Sequence, residues 1–335
     1  MKKIITLILI CFFPLILNAN ELQVRQEIGM HVSTLFENQQ FGELNKLADR
    51  YLASEERTSS GLWKLTLFYS GLSYVVSKNS SSIESLNKLD KKIKQWLEYD
   101  SSHPSPYFMR AKIKVTQAWN HRGAGWSKNV KKESWKPFYE YIAKARRILL
   151  ESKTITSKDP HWYEMMLDVL KAEKGEKRQE FEEVLSEGLD RYPGFYEIYF
   201  SAIDYLKPKW HGSLEEIDNF ALKAVERTKE FEQTGMLARI YWYSSQGEYK
   251  YWFANSPKIW KKMSVAIDDV LAKYPDSWNI NNFAFFSCIA SDVKKTKKLI
   301  AQIKEDLIPN AWFGQFDKCN QWGAMSKPNR AISPR

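Results

Sequence analysis

Three cysteines in 335 residues, one of them inside the first apolar run, leave too few for a zinc-type cysteine cluster. The five histidines, His31, His103, His121, His161 and His211, form no His-x-x-x-His pair, and none is joined to a glutamate in a zinc-protease pattern. Gly-x-Ser-x-Gly and glycine-rich phosphate loops are also missing, which removes the serine-hydrolase elbow and the nucleotide cradle. No run of Val, Ile and Thr alternates strictly, so little or no sheet is expected. The paired acids Glu182-Glu183 and Asp268-Asp269 fall on solvent-facing helix positions, where solubility explains them better than glycoside cleavage. These absences predict no catalytic residue, no metal and no cofactor.

What is present begins with a leader. Lys2-Lys3 precedes an apolar run from Ile4 to Leu17, and Leu17-Asn18-Ala19 has the form of a cleavage site before Asn20. The run is shorter than the ~20 residues that span a bilayer, and no later segment approaches that length. Ile10 ahead of Cys11 is not the small residue a lipidated cysteine needs. Residues 1–19 are thus expected to be a signal peptide, with a bacterial periplasm as the address. Its removal lowers the formal net charge from +10 to +8 and leaves Cys288 and Cys319. In an oxidising compartment an even pair is more readily bridged than catalytic, and closing this loop is worth about 3–4 kcal/mol in the chain-entropy model. The remaining basic excess is spread over separate helix faces. It suits a protein or peptide partner, or an anionic envelope polymer, and it lacks the continuous stripe that nucleic acid requires.

A phrase that occurs twice organises the rest. Leu189-Asp190-Arg191-Tyr192-Pro193-Gly194-Phe195-Tyr196 is answered by Leu271-Ala272-Lys273-Tyr274-Pro275-Asp276-Ser277-Trp278. Pro193 and Pro275 stand 82 residues apart, twice the 41 residues of one helix–turn–helix unit. Phe195, Ile198, Tyr199, Ala202, Ile203 and Leu206 form a single helical stripe, and Ile217, Phe220, Ala221, Ala224 and Val225 form the next. The pattern predicts helix pairs over 104–150, 160–191, 194–231, 235–273 and 276–307. The expected fold is all-α, a right-handed superhelix of tetratricopeptide-like hairpins over 100–325. An N-terminal helical region is expected over 20–99, with a joint near Ser77 to Ser82 and a loose tail over 326–335.

In such an array the turns from first to second helix of each unit share one edge. Two of them carry the candidate binding residues Trp119, Arg122 and Trp126, and Lys209, Trp210 and His211. Arg122 can fork onto a carboxylate or phosphate, and a cation beside an indole and an imidazole is a ligand contact. The competing reading makes Trp119, Trp126 and Trp210 seam-filling rings in ordinary turns. Ser213 is an N-cap, with Glu216 completing a capping box.

Several phrases resemble those of the bacterial domain-of-unknown-function family numbered 4034: Ala118-Trp119-x-x-Arg122-Gly123, Asp159-Pro160-His161-Trp162-Tyr163, Lys207-Pro208-Lys209-Trp210-His211-Gly212-Ser213 and Ala238-Arg239-Ile240-Tyr241-Trp242. Cys288 and the closing Ala311-Trp312 and Cys319-Asn320-Gln321-Trp322 belong to the same resemblance, which runs from about Pro104 to Trp322. It implies a helical-repeat fold and no particular chemistry. The function expected is an exported binding or scaffolding protein. The alternatives are an enzyme on an envelope polymer, with His211 as base and Arg122 and Lys209 on anionic substrate, or a purely structural envelope protein.

Overall fold

The computed structural model describes residues 20–303 and 307–324; the expected leader and tail lie outside them. Among the described residues the chain is all-α, and its only bridge of strand type pairs Arg57 with Trp63. The helices are α1 Glu21–Glu37, α2 Phe41–Ser54, α3 Lys64–Lys78, α4 Ile83–Tyr99, α5 Ser105–Arg122, α6 Trp135–Glu151, α7 Lys153–Thr156 and α8 His161–Ala172. They continue as α9 Arg178–Arg191, α10 Tyr196–Leu206, α11 Leu214–Glu232, α12 Gly235–Ser244, α13 Pro257–Lys273, α14 Ser277–Ile289, α15 Val293–Ile303 and α16 Phe316–Ala324.

Local chemistry sets the boundaries. Tyr192 and Tyr274 are the C-caps of α9 and α13, each followed by the proline that cannot continue the helix. Ser82, Ser213 and Asp276 cap α4, α11 and α14 by accepting from Ser85 N, Glu216 N and Trp278 N at 3.0, 3.1 and 2.7 Å. The box at Ser213 is only half formed, because the Glu216 carboxylate turns to Arg178 Nη1 at 2.8 Å. The stripe on α10 is buried from Phe195 to Leu206. Of the joint expected at Ser77 to Ser82, the first two residues end α3 and residues 79–82 form the turn into α4. One hydrophobic core runs through it, from Val32 on α1 to Cys319 on α16.

The expected pairs appear as α5 with α6, α8 with α9, α10 with α11, α12 with α13, and α14 with α15, each pair packed together. The first members also meet one another, as α3 touches α1 and α5, α8 touches α5 and α10, and α10 touches α12. Trp242 of α12 spans the next step to Phe283 and Phe286 of α14, each at 5.5 Å between ring centroids. Finally α14 touches α1, with Arg25 stacked 5.5 Å over Trp278. The helices α1, α3, α5, α8, α10, α12 and α14 therefore close a circuit, and the others pack against its members.

Two further segments are anchored on α14. The disulfide Cys288–Cys319 ties α16 to α14 with Cα atoms 5.7 Å apart. Asn281 Oδ1 accepts from Trp312 Nε1 at 2.8 Å and Ile308 N at 3.1 Å, fixing the segment between α15 and α16. At the other end, the loop from Glu55 to Trp63 folds over the N-termini of α10 and α14. Arg57 donates to Gly61 O and Gly194 O at 2.7 and 2.9 Å, and its guanidinium lies 4.8 Å over Tyr196. Gly61, at φ +98°, makes the turn possible, since a Cβ there would lie 2.6 Å from Arg239 Nη2.

Candidate functional site

A cavity of about 910 Å³ opens where α1, α10, α12 and α14 meet the capping loop and the C-terminal segment. Ser60 and Leu62 of the capping loop contribute to its lining, with Arg25 of α1 beside them. Its walls come from Glu197 and Phe200 on α10, Arg239, Trp242 and Tyr243 on α12, and Trp278, Asn279, Asn282 and Phe286 on α14. The turn after α12 adds Gln246, Gly247, Lys250 and Tyr251, and the C-terminal segment adds Asn310, Phe313 and Gln315. Exposure rises along the lining, from buried Ser60 and Asn279 to exposed Gln246, Lys250, Asn310 and Phe313, so the mouth lies between these last two segments.

The wall is built from rings. Phe200 stacks on Tyr243 at 4.5 Å and 9°, and Trp242 lies 6.3 Å from Trp278. At the mouth, Tyr251 and Phe313 both pack on Phe285, at 5.4 and 5.6 Å. Both are bulky residues in left-handed backbone, φ 54° and 48°, a conformation that costs of order 1–3 kcal/mol and gathers at ligand sites. Phe313 is 66% exposed, so packing alone does not account for its position.

Charge within the circuit is mostly spent on internal pairs. Arg25 Nε lies 2.6 Å from Glu21 Oε1, and Arg239 Nε lies 3.6 Å from Glu232 Oε2 between the rings of Tyr196 and Tyr274. Lys171 spans Asp168 and Asp204 at 2.9 and 3.4 Å, and Lys207 adds a 2.6 Å contact to Asp204. Glu164 bonds His161 Nδ1 at 2.6 Å. Glu197 differs. Burial, then the Glu164 carboxylate, push its carboxyl up to about 8, with Arg25 opposing and Asp168 adding to the rise. No hydrogen bond contributes to that balance. On α14, Asn279 Oδ1 is likewise buried with no hydrogen-bond partner, while its amide donates to Ser60 O and Tyr274 O.

The residues singled out in the sequence lie elsewhere. Trp119 and Trp210 do meet, edge to face at 6.1 Å, and His211 Nε2 donates to Lys171 O at 3.0 Å, so the ends of α5, α8 and α10 share one edge. Arg122 is turned onto its own loop: its guanidinium lies 5.1 and 5.0 Å over Trp119 and Trp135 and donates to Gly123 O and Gly125 O. Burial lowers its pKa from the ordinary arginine value. The His211 ring stacks 4.5 Å from Tyr205, with Nε2 committed as a donor. Lys209 is exposed, and Trp126 is 57% exposed at the loop tip. None of the six lines the cavity. The cavity residues carried one sequence signal that periodicity alone passes over. The stretch 277–291 has no charged residue, and Asn279, Asn281 and Asn282 are buried in it, which a solvent-facing helix would not need.

Among the described residues no group of three or more His, Cys, Asp or Glu is arranged to hold a metal ion. No helix among them is long and apolar enough to cross a membrane. No protein-family model matches the chain, and neither a curated protein nor a solved structure matches it.

Proposed function

We propose that this chain is an exported binding protein whose ligand occupies the cavity beneath the capping loop rather than the edge at Trp119 and Trp210. The observation that carries the reading is a cavity of about 910 Å³ walled by aromatic rings with a few amides and one unpaired carboxyl. That is the make-up of a small-molecule site: apolar rings supply contact area, and convergent polar groups fix orientation. The strained aromatics at the mouth and the doubly fixed C-terminal segment support it, because both position side chains that a merely packed helix end would not need. The edge rings and Arg122 are already engaged with one another, which leaves them packing devices. Export is supported by the leader sequence and by the disulfide, which persists in oxidising compartments.

Native mass spectrometry tests this on refolded protein incubated with the low-mass fraction of a bacterial envelope extract. We expect an adduct on the wild type and on Arg122→Ala/Trp210→Ala, lost from a Trp242→Ala/Trp278→Ala variant that still melts cooperatively. An adduct lost from the edge variant and kept by the cavity variant would overturn the reading, as would no adduct on any form.

A further inference from the structure

Glu197 and Phe200 stand three residues apart on α10 and so share the face that meets the cavity. Tyr243 covers Phe200 from α12, stacked at 4.5 Å, and Trp242 is its chain neighbour on the same wall. The carboxyl thus stands beside Phe200 and Trp242, which line the cavity, while the Tyr243 ring is already covered by Phe200 and by Lys207 Nζ 5.0 Å from its centroid. The nearby cations are committed elsewhere: Arg25 bonds Glu21 and Ser60, and Arg239 bonds Ser60 O beside Glu232. Lys171 and Lys207 are held by Asp168 and Asp204. Lys250 is exposed at the mouth.

Resting on the cavity reading, we propose that the wall formed by Glu197, Phe200 and Trp242 is a receptor for the ammonium group of a small organic cation. Aromatic faces attract a positive charge through the ring quadrupole, and the attraction grows when the site excludes water. A carboxylate beside the rings supplies the counter-charge. Glu164 and Asp168 on α8 add to the negative field at Glu197, while Arg25 on α1 opposes it and Tyr243 on α12 faces it as a neutral phenol. Among the described residues Glu197 is the one carboxyl in the lining, and the cations there are Arg25, paired with Glu21, Arg239, beside Glu232, and Lys250 at the mouth, so a neutral ligand lacks the charge contact with Glu197 that an ammonium group makes. Binding also has a proton signature. The carboxyl is pushed up to about 8 when the cavity is empty, so it is mostly protonated near neutral pH. An arriving ammonium ion favours the ionised form, and Glu197 gives up its proton to solvent as the ion pair forms.

Calorimetric titration of the refolded full chain near neutral pH, in two buffers of different ionisation heat, tests this. The probes are choline, butylammonium, and the uncharged carbon isostere of choline, dimethylbutanol. The proteins are wild type, Glu197→Gln and Trp242→Ala. Choline or butylammonium should bind wild type with release approaching one proton. Glu197→Gln should weaken that binding by about tenfold or more and abolish the release, and dimethylbutanol should bind at least about tenfold more weakly than choline. Choline serves the methylated cation and butylammonium the simple amine, so the tighter of the two names the form preferred. Equal binding of choline and dimethylbutanol, or unchanged choline binding by Glu197→Gln, overturns the cation receptor but leaves the cavity reading if Trp242→Ala still loses the ligand. Failure of both cations to bind wild type overturns the receptor in the same way, and the extract adduct then decides the cavity. Full binding by Trp242→Ala overturns the cavity reading itself.

Discussion

Glu21→Gln probes how the circuit is closed. The Glu21 side chain is 1% exposed at the first turn of α1. Its Oε1 accepts from Arg25 Nε at 2.6 Å, Thr58 Oγ1 at 2.9 Å and Ser60 Oγ at 2.7 Å. Its Oε2 accepts from Ser60 N at 3.0 Å and faces Ser59 Oγ at 3.0 Å, a hydroxyl that also reaches Asp276 Oδ2 at 2.6 Å. Glutamine keeps the shape but has one acceptor oxygen. Turned toward Ser60 N, it sets its NH₂ against the Arg25 Nε–H; turned the other way, it sets it against the Ser60 N–H. Neither donor can become an acceptor, so one is orphaned in either rotamer. An orphaned buried donor costs about 1–3 kcal/mol, and breaking a buried ion pair about 3–5 kcal/mol. Arg25 retains some solvent, so about 3 kcal/mol is expected, read as a lower urea midpoint at unchanged m. Glu27→Gln, on the exposed face of the same helix, should change stability by under about 0.5 kcal/mol. Acid titration separates charge from shape. Burial pushes the Glu21 carboxyl up, but Arg25 and the Ser60 bonds outweigh it, and its pKa falls below 4.5. A depressed folded pKa contributes stability that is complete above 4.5 and lost as pH falls through the folded value, and Glu21→Gln removes that acid dependence. A loss below about 1 kcal/mol, or an unchanged acid limb, would refute the claim that this carboxylate holds the capping loop to α1.

Three further outcomes follow from the same geometry. Glu197 has its folded pKa raised from 4.5 to about 8, so the stability it contributes is complete at low pH and is lost as pH rises through 8. Above the Asp159 value of about 6, wild type should lose about 2 kcal/mol on going from about pH 6.5 to 9, and Glu197→Gln should be flat over that window in urea melts at each pH. Gly61→Ala should cost well over 1 kcal/mol, because φ is +98° and the new Cβ meets Arg239 and Tyr274; Gly123→Ala, at φ +74° with nothing within 4 Å, should cost about 1 kcal/mol in the same melts. Cys319→Ser should lower stability by about 2–4 kcal/mol, reproduced by reduction of the wild type and absent when reductant is added to the variant.

The helix pairs were legible because their signals are local. Tyr192-Pro193, Tyr274-Pro275, Ser213 and Asp276 each act within a few residues, and the boundaries expected at 194–231 and 235–273 fall within two residues of α10–α11 and α12–α13. The shared edge was legible too, since topology alone brings the Trp119 and Trp210 turns together. What their rings do there was not, because an indole that fills a seam and one that holds a ligand have the same sequence neighbours. Closure of the circuit has no periodic signature at all. It rests on pairs such as Arg57 with Gly194 and Ser59 with Asp276, which lie 137 and 217 residues apart. Glu197 illustrates the consequence. It sits two residues after Phe195, in the first turn of α10, where an acid is ordinary and favoured by the helix dipole. Only when α1, α8 and α12 are brought round it does that acid lose water, gain two carboxylate neighbours and face a wall of rings. Its chemistry belongs to the closure of the circuit, so a change that loosens the capping loop at Glu21 should also return the Glu197 carboxyl toward its ordinary range. Carboxyl NMR of Glu197 in the Glu21→Gln background reads this directly, and an unshifted titration there would show that the two ends of the cavity are not coupled.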